Sequence, residues 1–287
     1  MAYENGLGKA KSEAWAAMLQ KELEKTTVGL NICDTKFEGV FMGGAKTVHY
    51  PRIRAVSGGD LANPYSKITL GQIQSEDDSF TLDCHKYWAI PIAKADLLQM
   101  KANPNSAIID ALKQYYKERW EEEIFKKAVA SASIVIGGSL GLTLDTGKKI
   151  YDAILNADEK MSDGNVPMSN RFAIISPADL TLLKQYMVER NTPLGDEVLE
   201  NGYAGKVDGV KIYMSNMLPK VGNIRNIILG QGKPVSFASD IKPEVIHVAQ
   251  ETQSDSFADV IKSQSRYGAK VFLSDAIRLV NLVVKTA

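Results

Sequence analysis

From Phe37 to about Ile92 the chain is glycine-punctuated and β-like, with few large apolar side chains for its length. Val48 and Tyr50 share one face of an alternating run, followed by Ile53 beyond Pro51, and a proline there argues for an edge strand. Ser57-Gly-Gly-Asp60 and Asn63-Pro64 signal turns. Ile68, Leu70 and Ile73 read as a returning strand, and Phe80, Leu82, Cys84 and Tyr87–Ile90 as one further strand. The pattern predicts a long hairpin-like excursion. A two-stranded ribbon is marginal by itself in water, so this one needs a surface to lie on. Its charges are segregated. Residues 45–67 carry Lys46, Arg52, Arg54 and Lys67 against Asp60, while residues 71–83 carry Glu76, Asp77, Asp78 and Asp83 and no base. Two readings are open: solvated pairing across the ribbon, or complementary contacts with other subunits.

The rest of the composition excludes several classes of chain. Among 287 residues, 34 Lys+Arg balance 34 Asp+Glu, so neither a strongly basic nucleic-acid reader nor a highly charged disordered chain is expected. Zero net charge gives little colloidal repulsion and suits a chain that associates. Two cysteines, Cys33 and Cys84, make neither a disulfide framework nor a Cys-rich zinc site, and point to synthesis in a reducing compartment. Met1-Ala-Tyr-Glu-Asn5 lacks the basic and apolar regions of a signal peptide. No apolar run approaches the roughly 20 residues needed to cross a bilayer, so no membrane partner is expected.

Residues Lys9 to Lys25 predict an amphipathic helix, with Trp15, Met18, Leu19 and Leu23 on one face. It either packs on its own domain or reaches a partner as an arm. The clearest helix spans about Ser106 to Ala130. Ile108, Leu112, Tyr116, Trp120, Ile124 and Ala128 form its apolar stripe, and Glu122–Lys126 and Glu123–Lys127 pair on the other side. At roughly 37 Å it is long enough to act as a spine between distant parts. Asp145-Thr146 caps a helix carrying Ile150, Ile154 and Leu155. Arg171–Ile175 reads as a buried strand running into Ser176-Pro177, with Ser at the N-cap and Pro at the first helical position. Lys206–Met214 reads as a hairpin around Asp208-Gly209. Strands are expected at Ile227–Leu229, Val235–Phe237, Val245–Val248, within 257–273 and at Ile277–Val284.

No catalytic constellation emerges. His49, His85 and His247 lack metal-ligand spacing. Cys84 and His85 are successive strand residues that point to opposite faces and cannot form a nucleophile–base pair. Gly141-Leu-Thr-Leu-Asp-Thr-Gly-Lys-Lys149 misses the P-loop pattern by one residue of spacing, and has Lys149 where a Ser or Thr should bind magnesium. Glu121-Glu-Glu123 is expected on the solvated side of the long helix. Residues 260–287 hold Lys262, Arg266, Lys270, Arg278 and Lys285 against Asp275, which suits either ordinary surface charge or weak, sequence-independent phosphate contact.

The order of these elements resembles the major capsid (coat) protein of tailed bacteriophages, with the tailed-phage/herpesvirus capsid fold. Asn165-Val-Pro-Met-Ser-Asn-Arg-Phe-Ala-Ile-Ile-Ser-Pro177, Gly205-Lys-Val-Asp-Gly-Val-Lys-Ile-Tyr-Met-Ser-Asn-Met-Leu-Pro219 and Tyr267-Gly-Ala-Lys-Val-Phe-Leu-Ser-Asp-Ala-Ile277 are similar in wording to segments of that family. The resemblance implies an α+β fold with an N-terminal arm at 1–36 and an extended loop at 37–95 lying across a neighbour. It further implies a peripheral domain with a spine helix at 96–144, an axial domain at 145–255, and return strands of the peripheral domain at 256–287. The implied function is structural: self-assembly, as pentamers and hexamers, into an icosahedral head shell enclosing double-stranded DNA, with no enzymatic activity and no cofactor. Implied partners are a portal, a separate scaffold protein, a decoration protein and, without sequence preference, the packaged DNA. The location is the virion, after assembly in the host cytoplasm. Candidate intersubunit contacts are Trp15, Lys46, Arg52, Arg54, Lys67, Glu76, Asp77 and Asp78, and the spine-helix core is Leu112, Tyr116, Trp120 and Ile124. Some family members cross-link a loop lysine to an asparagine; Lys46, Lys67 and Asn281 lie in the matching regions, with no local motif to support them. Two other readings stay open, an encapsulin-type compartment shell that packages a cargo enzyme and an α/β enzyme with an oligomerisation arm.

Overall fold

The structure, a computed structural model, describes residues 27–53, 63, 75–93, 105–189, 203–241, 246–248 and 258–285. The expected arm helix with Trp15, the ribbon tip, Arg54 and Lys67 lie outside the described residues. After a 3-10 turn at Gly29–Ile32 come β1 (Cys33–Asp34), α1 (Glu38–Met42), β2 (Thr47–Ile53), β3 (Ser75–Thr81) and β4 (Cys84–Ala93). Next are α2 (Asn105–Ser131), β5 (Ile134–Ile136), β6 (Leu142–Thr143), α3 (Gly147–Asp163), β7 (Arg171–Ile175) and α4 (Pro177–Glu189). The remainder is β8 (Tyr203–Val207), β9 (Val210–Met214), β10 (Lys220–Val221), β11 (Ile224–Gln231), β12 (Val235–Ile241), β13 (Ile246–Val248), β14 (Ala258–Lys270) and β15 (Leu279–Lys285).

Local chemistry sets several boundaries. Thr146 caps α3, its Oγ1 accepting the Lys149 N–H at 3.4 Å. Ile150, Ile154, Ala157 and Met161 then recur at helical spacing and are all buried. Ser176 caps α4: its Oγ accepts from Asp179 N at 3.3 Å and donates to Asp179 Oδ2 at 2.7 Å. Between β8 and β9 the turn residues Asp208 and Gly209 both have positive φ, 48° and 83°, as a tight hairpin whose twist matches its strands requires. Gly147 is needed for close helix packing, because a Cβ there would come within 2.1 Å of the Leu182 carbonyl oxygen on α4.

Two sheets share one long helix. The eight-stranded sheet runs β5-β15-β11-β7-β9-β8, with β10 added on β11 and β6 on β15. Because strand side chains alternate, this sheet serves two cores. Ala173, Ile175, Leu229, Val280 and Leu282 face α3 and α4. Phe172, Ile174, Ile228 and Leu279 face the other way, toward Ile124, Phe125 and Ala128 of α2. That second core also takes Val235, Phe237, Tyr267 and Ala269 from the five-stranded sheet, β1-β12-β14-β13 with β4 on the outer side of β14. Helix α2 therefore lies between the sheets, and its 27 residues give it the reach to touch both.

Strand pairing crosses the boundaries of the expected segments. β12 and β13, inside 145–255, pair with β14. β15, inside 256–287, is an interior strand of the other sheet, between β11 and the short β5 and β6. The run Phe80–Ile90 is also two strands rather than one. Leu82 and Asp83 break it, with Thr81 Oγ1 donating to Asp83 Oδ1 at 2.9 Å, so β3 stays in the ribbon while β4 crosses to β14. Glu121 overturns the expectation of a solvated Glu121–Glu123 run. It is 1% exposed, on the same helix face as Ile124 and Phe125.

Candidate assembly surface

The root of the ribbon is an aromatic cluster. β2 and β3 pair antiparallel from Thr47↔Thr81 to Ile53↔Ser75, with Pro51 opposite Asp77. Phe80 of β3 is inserted among Phe37, Phe41 of α1 and Phe272, with Val48 and Leu82 at the margin. Ring centroids are 5.1 Å apart for Phe41–Phe80, 6.4 Å for Phe37–Phe80 and 6.3 Å for Phe80–Phe272, all edge-on. Tyr50 extends the cluster toward solvent, 5.2 Å from Phe272. Around this root Val40, Met42, Tyr50 and Leu273 are exposed, as is Ile53 at the far end of β2. A further large apolar side chain, Tyr87 on β4, is 79% exposed. Large apolar side chains are exposed elsewhere too, among them Leu140, Met168 and Val221, so exposure is not confined to the ribbon.

The charged ribbon residues divide. Asp78 is used within the chain, accepting from Leu273 N at 3.0 Å and pairing with Lys270 Nζ at 3.0 Å. Asp77 Oδ2 lies 2.5 Å from His49 Nδ1 across the ribbon. Glu76 stands opposite Arg52 in register, and Arg52 and Lys46 are exposed. Asp83 pairs with Lys127 Nζ of α2 at 3.1 Å. Burial pushes the Asp83 carboxyl up, but the hydrogen bonds from Thr81 and Lys127 outweigh it and hold it below the usual carboxylate range.

Of the expected α2 core residues, Leu112, Tyr116 and Ile124 are buried. Trp120 is half-buried, packed on Phe237 at 5.4 Å and Tyr267 at 6.2 Å. The basic C-terminal run is largely neutralised. Arg266 donates to both oxygens of Asp240, Lys270 pairs with Asp78, and Arg278 lies 3.4 Å from Asp275. Asn281 is buried in β15.

Cys84 and His85 face opposite sides of β4, Cys84 beside Tyr267 and His85 Nε2 3.2 Å from Gln264 Oε1. Burial pushes the Cys84 thiol up, and the nearby Glu123 adds to this, the reverse of what a nucleophile needs. Lys149 of the P-loop-like segment pairs with Asp145 at 2.8 Å. Among the described residues no group of three His, Cys, Asp or Glu side chains could hold a metal ion, and no helix is long and apolar enough to cross a membrane.

Besides Glu121, sequence reasoning missed two buried charged groups, each paired with an opposite charge within the chain. Arg171, 2% exposed, donates to the carbonyls of Val166, Pro167 and Asp158 and pairs with Asp158 Oδ1 at 2.7 Å, tying the end of α3 to the start of β7. Asp179, fully buried at the start of α4, receives Arg225 of β11 through both carboxylate oxygens, at 2.5 and 3.1 Å. Polar–apolar spacing gave no hint of either.

No protein-family model matches the sequence, and no curated protein matches it. Solved structures match the whole architecture. A chain from Mycobacterium phage Che8 superposes with a TM-score of 0.79 at 20% identity, covering 98% of each chain. The capsid of cyanophage P-SCSP1u gives 0.77 at 14% identity, over 99% of this chain and 95% of that one. The cyanophage Pam1 capsid gives 0.71 at 11% identity over 100% of both. The chain has the phage capsid fold.

Proposed function

We propose that this chain is a structural major capsid protein that self-assembles, as pentamers and hexamers, into an icosahedral phage head shell around double-stranded DNA. The observation that carries this reading is the match to phage capsid structures over nearly the full length of this chain and of theirs. Physical support comes from the ribbon. Among the described residues it is anchored by the aromatic root and by Asp78, and it leaves apolar side chains exposed nearby, which a neighbouring copy would cover. In this reading residues 1–36 form the N-terminal arm, 37–95 the extended loop, 96–144 the peripheral domain with its spine helix, 145–255 the axial domain, and 256–287 the returning strands. Trp15, Lys46, Arg52, Arg54, Lys67 and Glu76 are then contacts between copies, whereas Asp77 is paired with His49 within the ribbon and Asp78 with Leu273 N and Lys270 of the body. Portal, separate scaffold and decoration proteins are its partners, DNA contact is weak and sequence-independent, and assembly takes place in the host cytoplasm before residence in the virion. The chain works without catalysis, its many weak repeated contacts summing through multivalency.

The test is to express the full chain and follow it by sedimentation velocity and negative-stain electron microscopy. Closed particles, open sheets or tubes of hexamer-like units are expected. A discrete dimer or tetramer that never grows, with salt and crowding agent varied, overturns the proposal. Deleting Ser57–Asn63 should leave a folded subunit that cannot close shells.

A further inference from the structure

Helix α2 meets the two sheets in different ways. Toward the eight-stranded sheet its contacts are apolar: Ile124, Phe125 and Ala128 pack with Phe172, Ile174, Ile228 and Leu279. Toward β14, nearer the start of the helix, they turn polar. Strand side chains alternate, so the inward face of β14 reads Ile261, Ser263, Ser265, Tyr267, and all four are buried. Trp120 packs against Tyr267, with ring centroids 6.2 Å apart. Tyr116, one turn earlier on α2 and 1% exposed, has Ser263 for a neighbour: burial pushes the Tyr116 hydroxyl up, and the Ser263 side chain beside it pulls it back. Ser265 lies between Ser263 and Tyr267 on that face, and so opposite the stretch of α2 from Tyr116 to Trp120.

Four polar atoms of this seam, Tyr116 Oη, Trp120 Nε1, Ser263 Oγ and Ser265 Oγ, are buried and meet no hydrogen-bonding partner among the described residues. Turning a hydroxyl moves only its hydrogen, so rotation does not supply one. Buried serines elsewhere in the chain are bonded: Ser176 to Asp179, Ser215 to Glu121, and Ser239 to the carbonyls of Ile241 and Arg266. Leaving a buried polar group unmet costs more than a typical bond gains, and folded chains satisfy nearly all such groups with protein or with ordered water. Water suits this set. It donates and accepts, as the three hydroxyls do, and it accepts from the indole N–H, which only donates. An internal water makes about three hydrogen bonds, which the seam supplies. Serine is also the small member of the β14 row, between Ile261 and Tyr267, so the layer is thinnest where the polar atoms gather. We propose that the α2–β14 seam is a binding site for ordered water, held by Tyr116, Ser263 and Ser265 with Trp120 Nε1 as a further donor, and that this water bonds helix to strand where direct protein contacts do not. The helix then has one dry side and one wet one. The inference concerns the subunit alone and does not rest on the shell reading.

A density map of the full chain, sharp enough to show ordered solvent, tests this directly. A solvent peak within hydrogen-bonding distance of Ser265 Oγ and of Tyr116 Oη or Ser263 Oγ is expected. A seam in which these oxygens reach only one another or other protein atoms overturns the proposal. Urea unfolding gives an independent test, because a dry and a wet seam predict opposite signs. In a dry seam Tyr116→Phe and Ser265→Ala each remove an unmet buried hydroxyl, and each stabilises the chain. In a wet one each removes a bond to the water and should raise the unfolding constant about fivefold. Tyr116→Phe combined with Ser265→Ala should then raise it by less than the product of the two, since the second change acts on a water the first has already loosened. Single substitutions that stabilise or change nothing, or effects that simply multiply, overturn the shared site. The map needs no variant, so it decides the matter should either one fail to fold.

Discussion

Phe80→Ala probes what holds the ribbon. The side chain is 1% exposed and touches the rings of Phe37, Phe41 and Phe272. Truncating a buried phenylalanine costs about 3–5 kcal/mol, a sum that already contains the edge-on ring contacts. The location of the loss matters more than its size. The cluster of Phe37, Phe41, Phe80, Ala238 and Phe272 is separate from both cores of the two-sheet body. A ribbon of two strands has little stability of its own to fall back on. The cost should therefore appear as local detachment, with an opening constant raised about a hundredfold by the lower bound of 3 kcal/mol. Hydrogen–deuterium exchange resolves this. Peptides covering 47–53 and 75–81 should lose protection, while 224–231 in β11 and 279–285 in β15 retain it. Phe80→Leu, which keeps most of the volume, should fall between. If the ribbon stays protected and the whole chain instead melts earlier, the root is one cooperative unit with the body and the reasoning fails. If nothing changes, Phe80 is not the anchor.

Other substitutions test the packing elsewhere. Gly147→Ala lies at the first position of α3, where helix propensity gains little, and drives a Cβ to 2.1 Å from the Leu182 carbonyl oxygen, so the overpacking cost of about 1–3 kcal/mol should lower the melting temperature. Trp120→Ala should cost about 2–3 kcal/mol in urea unfolding, below the 3–5 of a fully buried aromatic, because its ring is only half-covered by Phe237 and Tyr267. Arg266→Gln acts on acid stability. The hydrogen bond from Arg266 holds the Asp240 carboxyl below its usual range, so the pair's contribution is present above the unfolded-state titration and lost as pH falls through the folded one. Without Arg266 that loss should begin at higher pH, and because the arginine is largely exposed the difference at neutral pH should be at most about 1 kcal/mol.

What the sequence made legible was chemistry that acts over a few residues. Thr146, Ser176-Pro177 and Asp208-Gly209 each satisfy or bend a backbone three or four residues away, and each does so in the structure. Long-range pairing left no such trace. β4 finds β14 at a separation of more than 160 residues, Cys84 opposite Tyr267, and nothing in either run names the other. The long helix shows where local reasoning reaches its limit. A stripe of four-residue steps advances about 40° beyond a full turn at each step, so it drifts around the helix even though its described members pack inward. Leu112, Tyr116 and Ile124 are buried along it, while Trp120 stays half-open. Glu121, three and four positions before Ile124 and Phe125, faces inward with them, though its two glutamate neighbours made it look solvated. Its burial is possible only because Val28 N–H and Ser215 Oγ arrive from 93 and 94 residues away to meet the charge. Donors supplied at that distance cannot be seen in a window of sequence. That is why a carboxylate read as surface decoration turns out to join the root of the N-terminal segment, the long helix and a strand of the larger sheet.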